Sequence, residues 1–101
     1  MDKALHERWL NEIRALALNT LAPFDTSVYL YGSRARSDWK RLSDVDIAID
    51  PHEPLSPTVV LDLEERLEEC QVPLRVDIAD LSRSNVDFRG KVMKEAVTWR
   101  A

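Results

Sequence analysis

The stretch from Tyr31 to Asp46 constrains this chain more than any other part of its sequence. A Gly-Ser pair follows a short apolar run, a turn rich in arginine comes next, and two aspartates, Asp44 and Asp46, stand one residue apart. In a strand, residues two positions apart point to the same face and lie roughly 6–7 Å from each other. The pattern therefore predicts a place for phosphates, followed by two carboxylates that converge on divalent metal.

The bulk composition limits the architecture and the class of partner. The chain has 101 residues, of which 45% are apolar, so we expect one compact domain over 1–101. The net charge of −4 argues against a general nucleic-acid binder, and no stable binding to nucleic acid is expected. A single cysteine, Cys70, precludes an internal disulfide. Nothing resembles a signal peptide or a membrane span, so we expect a cytoplasmic protein.

Hydrophobic periodicity and chain-breaking residues define the predicted elements. We predict helices over 2–21, from 33 or 34 to about 38, from Ser56–Pro57 to before Pro73, and from about 85 to 99, with strands over 28–31, 45–49 and 74–79. This order predicts a small mixed sheet covered by helices, an α/β or α+β sandwich.

The acidic residues predict a site for phosphoryl chemistry. A solvated strand face is the simpler interpretation of Asp44 and Asp46, but Asp77 lies on the polar face of the third strand, which can pair beside the second. Three converging carboxylates repel one another without cations, and oxygen ligands suit Mg²⁺. Two such ions would support nucleotidyl transfer. Asp77 would then activate the acceptor hydroxyl through a shared metal, or accept its proton directly.

The turn before the acids suits phosphate oxygens. Gly32 lets the backbone approach a ligand closely, and Ser33 adds a hydroxyl near a helix start, although a plain strand-to-helix turn would look the same. Arg34 and Arg36 are predicted either to bind nucleotide phosphates or an acidic partner, or to form a solvated basic turn. Trp39 is predicted either to stack on a base or a partner, or to pack over the sheet edge.

The motif resembles that of a known superfamily. Gly32-Ser33-x-Ala35-Arg36, then five positions, then Leu42-Ser43-Asp44-Val45-Asp46 resembles the signature of the DNA polymerase β-like nucleotidyltransferases. The length resembles that of the minimal nucleotidyltransferases, the MNT proteins. This resemblance implies that Asp44 and Asp46 bind two Mg²⁺ ions, that Asp77 is the third catalytic acid, and that Gly32 and Ser33 hold the phosphates of the nucleotide.

The resemblance also implies a partner. MNT proteins are typically encoded beside HEPN-domain ribonuclease toxins and act as antitoxins, commonly in hetero-oligomers. Some of them transfer AMP from ATP to a tyrosine of the toxin. We therefore expect an adenylyltransferase with a HEPN toxin as its acceptor. The alternatives are an antitoxin that neutralises by binding alone and, with less support, transfer to a small molecule.

One position departs from the family pattern. MNT proteins commonly carry Gly after the Ala-Arg pair, where this chain has Ser37. If the backbone requires a positive φ there, serine costs roughly 1–2 kcal/mol relative to a residue that adopts it freely. The departure bears on the phosphate loop and on catalytic efficiency rather than on the fold.

Overall fold

The computed structural model describes residues 3–41 and 43–101. The predicted start of the first helix at Asp2 and the motif residue Leu42 lie outside this part. The elements are α1 (Lys3–Thr20), β1 (Thr26–Tyr31), α2 (Ser33–Arg36), β2 (Val45–Pro51), α3 (Pro57–Glu69), β3 (Val76–Asp80), a 3₁₀ turn (Leu81–Arg83), α4 (Val86–Glu95) and β4 (Val97–Arg100).

The strands form one mixed sheet in the order β3-β2-β1-β4. β1 is antiparallel to both β2 and β4, whereas β2 and β3 run parallel. The parallel pair is the one that needs a crossover, and α3 supplies it. Ser56 caps this helix by accepting from the Thr58 N–H, and Pro57 occupies its first turn. The predicted mixed sheet flanked by helices is confirmed.

The larger core lies between the sheet and the two helices α1 and α3. Its buried side chains are Ile13, Ala17, Leu21, Val28, Leu30, Val45, Ile47, Ile49, Leu63, Leu67 and Val72. Val45, Ile47 and Ile49 of β2 all point into this core, as their alternation predicts. Cys70 packs against the same cluster, as expected for a small apolar residue.

The opposite face of the sheet is also covered, but only at its centre. Ala48, which sequence alternation places with the aspartates, is fully buried against Leu81 of the 3₁₀ turn and Val92 of α4. Asp50, on the same face, forms a bidentate pair with Arg89 of α4, with one N–O distance of 3.1 Å. This face is therefore apolar around Ala48, and polar side chains flank that patch on both sides.

The predicted last helix is wrong at its C-terminal end, over residues 96–99. α4 ends at Glu95, and Val97–Arg100 forms β4, which pairs with β1. Trp99 packs against the larger core from this strand, whereas Met93 of α4 is 44% exposed. Four residues are too few for a local pattern to identify a strand, and β4 exists because β1 offers it an unpaired edge.

Candidate active site

Three polar side chains form a row across the sheet. Tyr31 of β1 pairs in register with Asp46 of β2, and Asp46 pairs in register with Asp77 of β3. Residues opposite each other on adjacent strands share a face, so their side chains are close neighbours. The prediction that the third strand pairs beside the second and brings Asp77 next to Asp46 is confirmed. Tyr31 is a member of this row that the sequence did not single out.

The backbone at Gly32 fits closely against this row. Gly32 has φ of +76°, and a Cβ added there would lie 2.3 Å from Asp46 Oδ2. Both facts exclude a side chain, because the left-handed φ is strained for other residues and the carboxylate already fills the space. The glycine that begins the motif and the second aspartate of the D-x-D pair are thus in direct contact, although fourteen positions separate them in sequence.

A cleft of about 390 Å³ opens above these residues. Five of the seven predicted site residues line it: Gly32, Ser33, Arg36, Asp44 and Asp46. Other residues that the sequence did not identify line it too, among them Tyr31, Phe88, Lys91 and Glu95. The last three belong to α4, which places one helical face over the open end of the strands.

Negative charge accumulates in the cleft. Burial raises the pKa of Asp46, and the neighbouring charges of Asp77 and Asp44 raise it further. Burial also raises the pKa of Tyr31, with Asp46 the next largest cause. These shifts have the direction expected where carboxylates crowd together without a counter-charge. The donor set consists of carboxylate oxygens, which suits a hard divalent cation such as Mg²⁺.

Asp44, Asp46 and Asp77 lie near one another, but they do not form a tight cluster. Within residues 3–41 and 43–101, no three His, Cys, Asp or Glu side chains stand close enough together to hold a metal ion. Asp77 instead forms an ion pair with Arg75, with a distance of 3.2 Å between Oδ1 and Nη2. Both side chains are exposed to a large extent, so this pair is weak and can exchange partners. Asp77 lines a second cleft, between β3 and α3, and not the cleft that Asp44 and Asp46 line.

Glu95 is hydrogen-bonded to two residues of the turn after β1, which is predicted to bind phosphates. Its Oε1 accepts a hydrogen bond from the Gly32 N–H at 3.0 Å, and its Oε2 lies 2.8 Å from Arg36 Nη1. The hydrogen bond with Arg36 lowers the pKa of Glu95, so the carboxylate stays ionised. Sequence reasoning missed Glu95 because nothing in the α4 pattern distinguishes it from a solvated helix residue.

Arg34 lies away from the cleft. It is 4% exposed, its Nη1 is 2.9 Å from His6 Nδ1, and its Nη2 donates to the Ser43 carbonyl at 2.8 Å. Trp39 stacks over the guanidinium, with 4.5 Å between the Arg34 Cζ and the ring centroid. Arg34 therefore ties the residue before Asp44 to α1, and the placement gives no support to its predicted contact with nucleotide phosphates. Trp39 packs on this arginine rather than projecting freely.

Ser37 adopts a backbone conformation that is strained for serine, whereas a glycine at this position would adopt it without strain. It ends α2 with φ of 64° and ψ of 21°, the left-handed region, and its N–H bonds to the Ser33 carbonyl. It is the one non-glycine residue with positive φ in the described part of the chain. The serine is therefore accommodated at a cost in backbone energy, and the loop keeps its shape.

Ser37→Gly is expected to stabilise the protein. Relief of the left-handed strain gains roughly 1–2 kcal/mol, and the greater freedom of glycine in the unfolded chain offsets part of it, which leaves about 0.5–1 kcal/mol. Ser37→Ala is the matched control, because alanine keeps the Cβ and should change stability little. Urea unfolding of the three proteins measures the effect. If Ser37→Gly were less stable than wild type, the proposed backbone strain at Ser37 would be wrong.

A Ser-His-Asp contact elsewhere in the fold has no catalytic setting. Ser27 Oγ lies 2.8 Å from His52 Nε2, and His52 Nδ1 lies 2.8 Å from Asp25 Oδ1. Ser27 is only 4% exposed, so a substrate cannot reach its hydroxyl. These residues join the start of β1 to the segment after β2, and the His52 N–H bonds to the Asp25 carbonyl beside them.

Comparison with known proteins agrees with this geometry. The family model described as "Polymerase beta, Nucleotidyltransferase" matches residues 25–98. A Haemophilus influenzae protein named "probable protein adenylyltransferase MntA" is 38% identical over 77 residues, which cover 76% of this chain and 67% of that protein. No helix in the described residues is long and apolar enough to cross a membrane.

Solved structures share the fold. A minimal nucleotidyltransferase superposes with a TM-score of 0.71 and 27% identity, over 87% of this chain and 90% of that one. A chain of a toxin–antitoxin complex with AMP-PNP gives 0.69 and 21%, over 85% and 71%. A chain of the complex between a tri-AMPylated Shewanella oneidensis HEPN toxin and its MNT antitoxin gives 0.66 and 20%, over 92% and 70%.

Proposed function

Because the chain belongs to the polymerase β nucleotidyltransferase family, we propose that it transfers AMP from ATP to a hydroxyl group of a partner protein. The observation that carries this proposal is the in-register pair of Asp46 and Asp77 beside the close approach of Gly32 to Asp46. Two acids for metal, Asp44 and Asp46, and a backbone turn for phosphate thus border one cleft, with Asp77 on the adjacent strand, and nucleotidyl transfer requires such groups side by side.

The residues of this site have separate roles in the reaction. Gly32, Ser33 and Arg36 hold the phosphates of ATP, and Asp44, Asp46 and Asp77 hold the metal. The acceptor oxygen forms a bond to the α-phosphorus, the bond to the β-phosphate bridge breaks, and pyrophosphate leaves. The proton of the acceptor hydroxyl passes to Asp77, whose side chain is 42% exposed on the edge strand of the sheet.

Mg²⁺ is the cation that this donor set fits, and we infer two ions. When bound, they supply charge stabilisation for the pentacoordinate phosphorus and for the leaving pyrophosphate. The carboxylates of Asp44, Asp46 and Asp77 would hold these ions. The raised pKa of Asp46 is consistent with this assignment, because the charges of Asp77 and Asp44 add to the effect of burial, and a divalent cation would neutralise those charges.

The acceptor is proposed to be a HEPN-domain toxin, with a tyrosine as the modified residue and the chain acting as its antitoxin. Support comes from the relative named as a protein adenylyltransferase and from structural neighbours that are complexes of an MNT antitoxin with a HEPN toxin. The fold leaves β3 as an open edge strand, so the partner protein can approach Asp77 directly.

Neutralisation of the toxin tests the proposal against binding alone. The chain is co-expressed with the product of the adjacent gene, provided that this gene encodes a HEPN protein, and growth is compared between wild type and the double variant Asp44→Ala plus Asp46→Ala. We expect the variant to lose neutralisation while it still co-purifies with the toxin. Full neutralisation by the double variant would overturn catalysis and favour an antitoxin that acts by binding alone.

A further inference from the structure

Glu95 occupies the two donors that a phosphate group would use at the mouth of the cleft. One of its oxygens accepts from the Gly32 N–H and the other from Arg36. Its side chain is only 17% exposed, so the contact is enclosed rather than a loose surface pair. A carboxylate held through both oxygens by a backbone amide and a guanidinium has the geometry of an anion in a binding site.

We propose that Glu95 is an internal stand-in for a phosphate group, which occupies this anion site until a triphosphate displaces it. The inference rests on the proposed function for the identity of the ligand, ATP. It follows from a conflict of partners, because the single proton of the Gly32 N–H is already donated to Glu95. Arg36 likewise directs Nη1 to Glu95 and Nε to Asp38, so a phosphate must compete with these carboxylates for it. Nucleotide affinity is therefore reduced by the fraction of molecules in which Glu95 is still seated.

The displaced carboxylate has a second partner within reach. Lys91 stands four positions before Glu95 on α4, the spacing that brings two side chains together on a helix. Lys91 lines the same cleft, and its charge already favours the ionised form of Glu95. Release of Glu95 therefore exchanges one cation for another, so the carboxylate need not become unpaired. This exchange gives the cleft two discrete arrangements, one closed by Glu95 and one open to phosphate.

The amide of Gly32 gives a direct readout of the anion site. The chain has only two glycines, Gly32 and Gly90, so protein labelled with ¹⁵N-glycine shows two amide signals. Gly90→Ala assigns them, because a Cβ at Gly90 meets nothing within 4 Å. The probe is Mg²⁺-tripolyphosphate, which carries the phosphate chain of ATP but cannot transfer AMP. We expect its addition to shift the Gly32 signal.

The decisive variant is Glu95→Gln, which keeps the shape of the side chain and removes its charge. Because a neutral amide competes more weakly for Arg36, we expect Mg²⁺-tripolyphosphate to bind roughly tenfold more tightly than to wild type. Glu95→Ala should bind at least as tightly, and thermal melts check that both variants fold. Glu65→Gln, an exposed residue of α3, is the control for the loss of one negative charge.

The sign of the change separates this role from a purely structural one. If Glu95 merely fixed the phosphate loop, both variants would bind the probe more weakly, and that result would overturn the proposal. Unchanged affinity, or a Gly32 signal that does not respond, would overturn it as well. The titration uses no acceptor protein and no transfer step, so a failure of AMP transfer in a separate assay would count against the proposed function alone.

Discussion

Asp46→Asn is expected to abolish AMP transfer and at the same time to stabilise the metal-free protein. Asparagine fits the space that the carboxylate fills beside Gly32, but it removes the charge of a proposed metal ligand at the centre of the Tyr31–Asp46–Asp77 row. We expect transfer to fall by at least roughly a thousandfold, equivalent to about 4 kcal/mol in the barrier. Initial rates of AMP incorporation from labelled ATP measure this loss.

The gain in stability follows from the raised pKa of Asp46. Its pKa in the folded protein lies above its unfolded value, so the folded state holds this proton more tightly. The stability that the protonated form contributes is complete below the unfolded pKa and is lost as the pH rises through the folded pKa. At neutral pH the wild type therefore carries the full penalty of a crowded carboxylate, and asparagine removes it.

Thermal unfolding at two pH values tests this account of Asp46. At pH 7 without Mg²⁺, we expect Asp46→Asn to be more stable by up to about 1 kcal/mol, or roughly 4–8 °C in Tm for a domain of this size. The difference should shrink as the pH falls towards about 4. Mg²⁺ should raise the Tm of wild type but not that of the variant. If Asp46→Asn were less stable than wild type at pH 7, the ionised Asp46 carboxylate would not be destabilising the fold.

Gly32→Ala is expected to damage both the fold and the reaction. The added Cβ would meet Asp46 Oδ2 at 2.3 Å, and the φ of +76° is strained for alanine. We expect a loss of roughly 3 kcal/mol in the free energy of unfolding, with AMP transfer reduced at least about a hundredfold because Asp46 must move. Urea unfolding and the same transfer assay measure the two effects.

The matched control for this variant is Gly90→Ala. Gly90 lies within α4 with open space around it, so alanine should add up to about 1 kcal/mol through helix propensity. A second control is Gly32→Ala in an Asp46→Ala background, which removes the 2.3 Å clash and leaves the cost of the positive φ and a 3.3 Å contact between the two Cβ atoms. Equal destabilisation in both backgrounds would show that the contact with Asp46 is not the cause.

The part of the site that could be predicted is the part encoded in local patterns. The alternation in β2 and β3 placed Asp46 and Asp77 on polar faces, and the parallel pairing brought them into register. The turn after β1 could also be predicted from the sequence, because glycine and serine stand at the start of α2. Strand alternation and turn chemistry depend on neighbouring residues, so a single sequence carries them.

What could not be predicted depends on contacts between distant segments. β4 pairs with β1 across some seventy positions, and its four residues carry no signal strong enough to separate them from the preceding helix. Glu95 reaches Gly32 only because α4 lies over the strand ends. Arg34 looked like a cation of a phosphate loop, but its burial against His6 and Trp39 is a tertiary fact.

The most direct test of the central claim is an intact-mass measurement. The purified chain is mixed with Mg²⁺-ATP and the product of the adjacent gene, provided that this gene encodes a HEPN protein, and Asp44→Ala serves as the inactive control. The account predicts that the partner gains the mass of one or more AMP groups with wild type and none with the variant. A stable complex in which the partner gains no mass would contradict nucleotidyl transfer and leave binding alone as the mode of neutralisation.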